Sequence, residues 1–387
     1  MQIFLVGGAV RDELLGIEPV ERDWVVVGGT PEALLEQGFV QIDSRFPVFV
    51  HPDSGDEYAL ARRETKIGSG HKGFLVDSGP DVTLLEDLAR RDLRINAIAR
   101  AENGDLIDPY DGLEDLHHRQ LRHITPAFAE DPLRVLRLAR FAAILAHLNF
   151  EVATSTMDLA RYMVGLPEFA ELSGDRAWRE CIKVLRSPSP SRYFELLGAL
   201  GALHVLLPGV DWAKARFPIP APDADQQEHL GHDPLLDLLA SSFARQKLEL
   251  GRLVTVMLQR WPIPREGRET LNTYIALLDE LGSLEHADRA LELCQRLDGW
   301  RRRDRLRMLL HLVCRHEDHM RANTAARFLR AHDAGITVRS EPFLQAGLTG
   351  KPLGRAMEME REARFKSVWE TGQTRTVTAH TTRFSRE

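Results

Sequence analysis

Two acidic residues, Glu21 and Asp23, stand two apart at the head of an apolar, β-branched run over 23–29. On an extended strand, positions i and i+2 project to one face, so this spacing predicts two carboxylates side by side. Neighbouring anions repel unless a cation joins them. Mg²⁺ takes hard oxygen ligands and keeps coordination places for substrate phosphates. Upstream, LVGGAVRDELLG (5–16) predicts a short strand, a Gly-Gly turn and a helix start. Glycine there lets the backbone come close to a phosphate. The helix start offers free N–H groups and a positive dipole end. Arg11, in its first turn, adds a guanidinium fork that suits a triphosphate. Gly8 and Arg11 are therefore candidate phosphate ligands, and Glu21 and Asp23 are candidate catalytic and metal ligands. Paired carboxylates after a glycine turn are the minimum set for metal-assisted nucleotidyl transfer. The plain alternative is a strand–turn–helix with a solvated, charged strand end.

A second group lies farther along. RRDLRINAIA (90–99) joins a basic cluster to an apolar run, and a buried Asn96 would need partners. In EDPLRVLRLARF (130–141), Pro132 marks a helix start with acids just before it. Arg134, Arg137 and Arg140 then recur every three residues along one side, with Val135, Leu136, Leu138, Ala139 and Phe141 opposite. Asp131 and Arg134 together would present an acceptor and donors to a nucleobase, imitating a Watson–Crick partner. A solvated helix face is the competing explanation.

These residues need elements to hold them. The first 120 residues predict mixed α/β structure, with strands at 3–6, 23–27, 48–51 and 57–61 and a turn at 52–56. Thr30 is the expected N-cap of a helix whose first residue is Pro31. Residues 66–73 collect Lys66, Gly68, Gly70, Lys72 and Gly73, the pattern of a mobile basic loop. From about 127, strand signals vanish and one long helix is expected through Leu148. Five prolines over 206–230 suggest a linker, 231–370 is helical again, and 371–387 is expected to fray.

Composition sets the outer limits. At roughly 100–200 residues per domain, 387 residues make two to four domains. With 43% hydrophobic and 28% charged residues, global disorder and fibrous repeats are excluded. No run approaches the ~18–20 apolar residues of a membrane span. The first residues carry no basic region or cleavage site, so no signal peptide is expected. Three distant cysteines exclude a disulfide framework or a CxxC zinc site, and a reducing cytoplasm fits them. The formal charge of −7 excludes a globally basic protein, so nucleic-acid binding must rest on local patches. Arg301, Arg302, Arg303, Arg305 and Arg307 form one such candidate.

LVGGAVRDELLG (5–16), RDWVVVG (22–28), EYALARRE (57–64), RRDLRINAIA (90–99), DPYDGLEDL (108–116) and EDPLRVLRLARF (130–141) occur together and in order. In this the chain resembles the bacterial class II CCA-adding enzymes, tRNA nucleotidyltransferases, in their gammaproteobacterial form. The resemblance implies an α+β chain with a polymerase-β-like nucleotidyltransferase head (1–126), a helical neck carrying the base-recognition helix (127–205), and a helical body and tail that bind tRNA (206–387). It implies CMP and AMP transfer from CTP and ATP to the tRNA 3′ end with Mg²⁺, in the cytoplasm and without a membrane. Gly8 and Arg11 would hold the triphosphate and Arg91 would contact the nucleotide. Asp131 and Arg134 would read the base, with Arg137 and Arg140 beside them. The 66–73 loop would serve the switch to A addition. The alternatives are a catalytically weakened tRNA- or nucleotide-binding homologue, a poly(A) polymerase, or an enzyme adding only part of CCA.

Two departures stand out. The family keeps Asp-x-Asp where this chain has Glu21-Arg22-Asp23. Relatives also carry a C-terminal phosphohydrolase with His and His-Asp metal ligands. Here His232-Asp233 is the sole His-Asp in that region, and 254–264 has none. His316, Glu317, Asp318 and His319 are expected to form a solvated helix end, and His332-Asp333 a helix terminus, so no phosphohydrolase activity is expected. A misplacement near 1 Å costs on the order of a hundredfold in rate. Restoring the shorter acid, Glu21→Asp, is therefore expected to preserve or raise nucleotide incorporation, and a sharp loss would show that the site is built around Glu.

Overall fold

The apolar run at the start forms β1 (Gln2–Val6), which the Gly7-Gly8 turn ends. α1 (Gly8–Leu14) and β2 (Asp23–Val27) follow. The computed structural model describes residues 1–43, 47–68, 73–217 and 233–381. In it β1 and β2 pair antiparallel, with Val6 opposite Asp23. That register sets the glycine turn and the start of β2 side by side at one end of the central strands.

α2 (Pro31–Glu36) begins as its sequence predicts, with Thr30 accepting a bond from the Ala33 N–H at 3.2 Å. β3 (Val40–Asp43), β4 (Val48–Val50) and β5 (Glu57–Leu60) extend the sheet. β5 runs parallel to β2 and antiparallel to β4, across the 51–56 turn. β6 (Arg63–Lys66) and β7 (Phe74–Asp77) make a separate two-stranded ribbon. Gly70 and Lys72 of the expected basic loop lie outside the described residues. α3 (Leu84–Ala89) starts with a capping box between Thr83 and Glu86. β8 (Ala99–Ala101) and β9 (Leu106–Ile107) complete a seven-stranded mixed sheet of order β3-β4-β5-β2-β1-β8-β9. Alternation along β2 serves both faces: Val25 packs with Phe4, Leu88 and Ala97, and Val26 with Leu34, Phe49 and Leu60.

α4 (Gly112–His117) packs against a 3₁₀ turn, Arg94–Asn96. A Cβ on Gly112 would lie 2.4 Å from the Arg94 carbonyl oxygen and 2.8 Å from Ile98 Cγ1, so only glycine fits. β10 (Gln120–Leu121) leads to α5 (Leu133–Ile144), which stops four residues short of the expected helix. A 3₁₀ turn, Ala146–Leu148, and a left-handed Asn149 redirect the chain there. They let β11 (Glu151–Val152) pair with β10, a short strand where none is expected. α6 (Thr154–Val164), α7 (Pro167–Ala170), α8 (Gly174–Val184), α9 (Pro190–Ala199) and α10 (Ala202–Leu206) follow, and α5 packs on α8 and α9.

The chain divides into two compact units, Met1–Pro208 and Gly209–Glu387. The second holds α11 (Pro234–Ser242), α12 (Lys247–Arg260), α13 (Arg265–Leu281), α14 (Ala287–Arg296), α15 (Arg303–His316), α16 (His319–Ile336), α17 (Glu341–Gln345) and α18 (Gly350–Thr381). Its aromatic core sets Phe328, Phe365 and Trp369 together, with Trp300 stacked on His332. Part of the expected linker belongs to this unit, because Trp212 is buried against Phe243. Residues 218–230 of that linker, and His232, lie outside the described residues, whereas Asp233 caps α11 at the Leu236 N–H.

Three expectations for this half are corrected, and a fourth feature is qualified. α18 continues to Thr381, past residue 371 where fraying is expected, and 382–387 of that tail lie outside the described residues. α16 runs through His332-Asp333 to Ile336, since Gly335 makes room for the Trp300 ring, 2.5 Å from where a Cβ would sit. Within the 316–319 segment Glu317 is buried, beside Arg321 at 3.8 Å, so this is no fully solvated end. The arginine run is locally neutralised: Arg301 pairs with Asp298, Arg302 and Arg305 with Glu269, and Arg307 with Asp333. That pairing weakens it as a patch for phosphates.

Gly112→Ala should lower the thermal midpoint, by an overpacking cost of about 1–3 kcal/mol. Gly251→Ala on α12, where a Cβ meets nothing within 4 Å, should be neutral or stabilising. Calorimetric melting of both variants checks the contrast.

Candidate active site

The Val6–Asp23 register brings the glycine turn against the acids. Gly7 has φ +73°, and a Cβ there would lie 3.0 Å from Arg91 Nη1 and 4.0 Å from Asp23 Oδ2. Gly7 is thus needed for its backbone angle and for the approach of Arg91. Asp23 is the first residue of β2, but Glu21 lies in the bend before it, so the strand alternation does not carry both acids as expected. Both nonetheless line one cleft of about 690 Å³. The Asp23 side chain stays open to that cleft, yet the cleft walls strip enough water to raise its pKa. The Arg91 charge opposes the rise and the Glu21 charge adds to it. Among the described residues no group of three or more His, Cys, Asp or Glu is arranged to hold a metal. A cation here would rest on this acidic pair, with substrate oxygens completing its shell.

The structure places Gly8, Arg11, Glu21, Asp23, Arg91, Asp131, Arg134, Arg137 and Arg140 around the same cleft. What brings them together is a buried polar chain. Arg11 donates from Nη1 to Asn96 Oδ1 at 2.8 Å. Asn96 donates from Nδ2 to Asp92 Oδ1 at 3.1 Å. Arg137 on α5 donates from Nε to Asp92 Oδ2 at 2.7 Å, and its Nη2 lies 2.6 Å from the same oxygen. Asp92 also accepts from the Leu93 N–H at 2.9 Å. Burial alone would push the Asp92 carboxyl up, but Arg137 and these bonds outweigh it and hold the pKa far below the usual carboxylate range. Asp92 in turn lifts the pKa of Arg137.

The other arginines of α5 differ. Arg134 donates to the carbonyl oxygens of Ala127 at 2.8 Å and Arg90 at 2.6 Å. Those two bonds leave three of its five N–H groups. Arg140 forms an ion pair with Glu180 at 3.1 Å. Burial lowers the pKa of both Arg134 and Arg140, so their charges are only partly compensated. Asp131 accepts from Leu133 N–H at 3.0 Å and from Arg176 Nη2 at 3.2 and 2.9 Å. One of its four lone-pair positions remains.

Several cleft or supporting residues escape a reading of the sequence. Asp92 sits inside the RRD run and is indistinguishable there from a solvated acid. Arg176 and Glu180, on α8, lie 45 and 40 residues from their partners, Asp131 and Arg140, and no local pattern signals them. Arg62, Glu64 and Arg90 form a further network at the wall: Glu64 accepts from Arg62 at 2.9 Å and from Arg90 at 3.2 Å. Arg91 is held at its far end by buried Asp87, at 3.0 Å.

The Asp92 network makes a pH prediction. The folded pKa of Asp92 lies below its unfolded value near 3.9. Its contribution is therefore complete above about pH 4 and is lost as pH falls from there toward the depressed value. Asp92→Asn leaves Arg137 buried without its anion and should cost about 3 kcal/mol near neutrality. The gap in melting temperature between wild type and variant should narrow as the pH is lowered below 4; a constant gap would discount the charge.

Relatives share this arrangement of sequence and fold. The family described as Poly A polymerase head domain matches residues 3–122, and that described as Probable RNA and SrmB-binding site of polymerase A matches 149–213. A CCA-adding enzyme of Marinobacter nauticus is 42% identical, over 94% of this chain and 98% of its own. A Multifunctional CCA protein of Tolumonas auensis is 41% identical, over 93% and 97%. A solved tRNA-processing enzyme complex is 26% identical, with a TM-score of 0.65 over 94% of this chain and 97% of that one. The Thermotoga maritima CCA-adding enzyme complexed with tRNA is alike in fold, at a TM-score of 0.64 and 19% identity, over 97% and 91%. With more than 40% identity along nearly the whole of both curated relatives, the chain belongs to the family of CCA-adding enzymes.

Proposed function

We propose that the chain is a template-independent tRNA nucleotidyltransferase that adds CMP and AMP, from CTP and ATP, to the 3′ end of tRNA with Mg²⁺. The observation that carries this reading is the single cleft lined by Glu21, Asp23, Gly8, Arg11 and the α5 residues from Asp131 to Arg140. The activity named for its curated relatives, CCA addition, supports it, as does the tRNA bound by the structure alike in fold.

In the reaction, the 3′-hydroxyl of tRNA attacks the α-phosphorus of the nucleotide. The new O–P bond forms as the bond to pyrophosphate breaks, and the hydroxyl proton leaves to solvent. The Glu21–Asp23 pair fits a divalent cation, because the Asp23 carboxylate is partly stripped of water and stands beside the like charge of Glu21. Bound there, Mg²⁺ would lower the pKa of the hydroxyl and offset the charge developing on phosphate. Metal binding needs ionised Asp23, so affinity rises as pH passes the raised pKa of that residue. The Gly7-Gly8 backbone and Arg11 hold the triphosphate, and Arg91 contacts the nucleotide.

Base choice follows from donors and acceptors. On their pairing edges both C and A set an amino donor beside a ring-nitrogen acceptor. The open lone pair of Asp131 suits the amino group, and the remaining N–H groups of Arg134 suit the ring nitrogen. G and U present a carbonyl and an N–H in the opposite order. The same cleft therefore takes C and A without a nucleic-acid template. In this reading residues 1–126 act as the transferase head, 127–205 as the base-reading neck and 206–387 as the tRNA-binding body and tail. The setting is the cytoplasm, consistent with three free cysteines; no helix among the described residues is long and apolar enough to cross a membrane.

Glu21 supports a second reading, a homologue that binds tRNA with weakened catalysis. Labelled CTP and ATP offered with tRNA lacking its CCA end separate the two. Incorporation of three nucleotides that stops there, and falls at least about a hundredfold in Asp23→Ala, is the expected outcome. Tight tRNA binding without incorporation would favour the binder, and extended AMP runs would favour a poly(A) polymerase.

A further inference from the structure

Phe141, expected on the face opposite the arginines, instead lines the cleft beside them and has no role in the chemistry above. Its ring is 7% exposed and forms part of the cleft wall. Three guanidiniums gather on it: Arg11 at 5.5 Å from the ring centroid, Arg137 at 5.7 Å and Arg140 at 4.8 Å. Each lies within the ~6 Å at which a cation is attracted to the face of an aromatic ring. An apolar helix face needs only bulk at this position, and leucine would supply it. Collecting three like charges on one side chain instead demands something that offsets their repulsion.

Each guanidinium is also tied to an acid. Arg11 reaches Asp12 at 2.7 Å, Arg137 reaches Asp92 at 2.6 Å and Arg140 reaches Glu180 at 3.1 Å. Carboxylate and ring together restrict the orientation of each fork. Arg11 comes from α1 at the glycine turn, while Arg137 and Arg140 come from α5. The ring is therefore the shared contact between the phosphate-side arginine and the neck-side arginines.

We propose that Phe141 is a positioning residue, whose ring assembles Arg11, Arg137 and Arg140 into one anion-binding set for the phosphates of the incoming nucleotide. The inference rests on the nucleotidyltransferase reading and deepens it. Because the set grips phosphate, losing it weakens CTP, ATP and pyrophosphate alike, irrespective of the base.

Calorimetric titration of the full chain with CTP, ATP and pyrophosphate, each with magnesium, tests this in wild type, Phe141→Leu and Phe141→Tyr. Leucine keeps apolar bulk without the ring; tyrosine keeps the ring. Phe141→Leu should weaken all three ligands in parallel, by about tenfold. Phe141→Tyr should stay within about twofold of wild type. Phe141→Met, a flexible filler, repeats the test if the leucine variant does not fold. A folded leucine or methionine variant with unchanged affinities would overturn the positioning role alone. So would a loss confined to one base, or an equal loss in Phe141→Tyr. A wild-type chain that binds none of the three ligands would overturn the nucleotidyltransferase reading as well.

Discussion

The carboxylate of Asp92 is the joint on which the cleft depends. It is buried, and it is bonded by Asn96, by the Leu93 N–H and by Arg137. An ionised carboxylate out of water is tolerable only when its lone pairs are filled. Filling them fixes the distance between the 3₁₀ turn behind the sheet and the first turns of α5. Through Asn96 the same chain reaches Arg11, on the helix that leaves the glycine turn. One buried anion thereby sets the glycine-turn arginine and the cleft residues of α5 in a common frame.

The cleft holds unmatched charge of both signs. On the sheet side, Asp23 and Glu21 repel each other and Asp23 is held above its ordinary pKa. On the helix side, burial draws down the pKa of Arg134 and Arg140. Each side is open to a counter-charge: a cation beside the acids and an anion beside the arginines. Charges fixed in place beforehand are how electrostatic catalysis avoids reorganising its surroundings at the moment of reaction.

The second unit is built on other terms. Its core gathers Phe328, Phe365 and Trp369, and most of its arginine run pairs with acids of the same unit. Surface pairs of this kind contribute little each, but they cancel the local positive field. The most conspicuous basic run in the sequence is thereby a weaker candidate for holding a polyanion than its composition suggests.

Short-range signals were enough to establish much of this protein. The Gly-Gly turn, the Thr30 cap, the strands at 23–27 and 57–60 and the amphipathic stripe of α5 each depend on neighbours within a few positions, so they are legible from residue order. The nine site residues could be named for the same reason, since each lies in a compact motif. Their gathering around one cleft, and the supports that hold them, were decided by the tertiary structure. Glu21 left the strand, α5 ended at Ile144 where Asn149 turns, and Arg176 found Asp131 from another helix. Periodicity reports which face a residue takes, but a buried charge is stable only with partners, and those are supplied by chain segments that sequence spacing does not bring together.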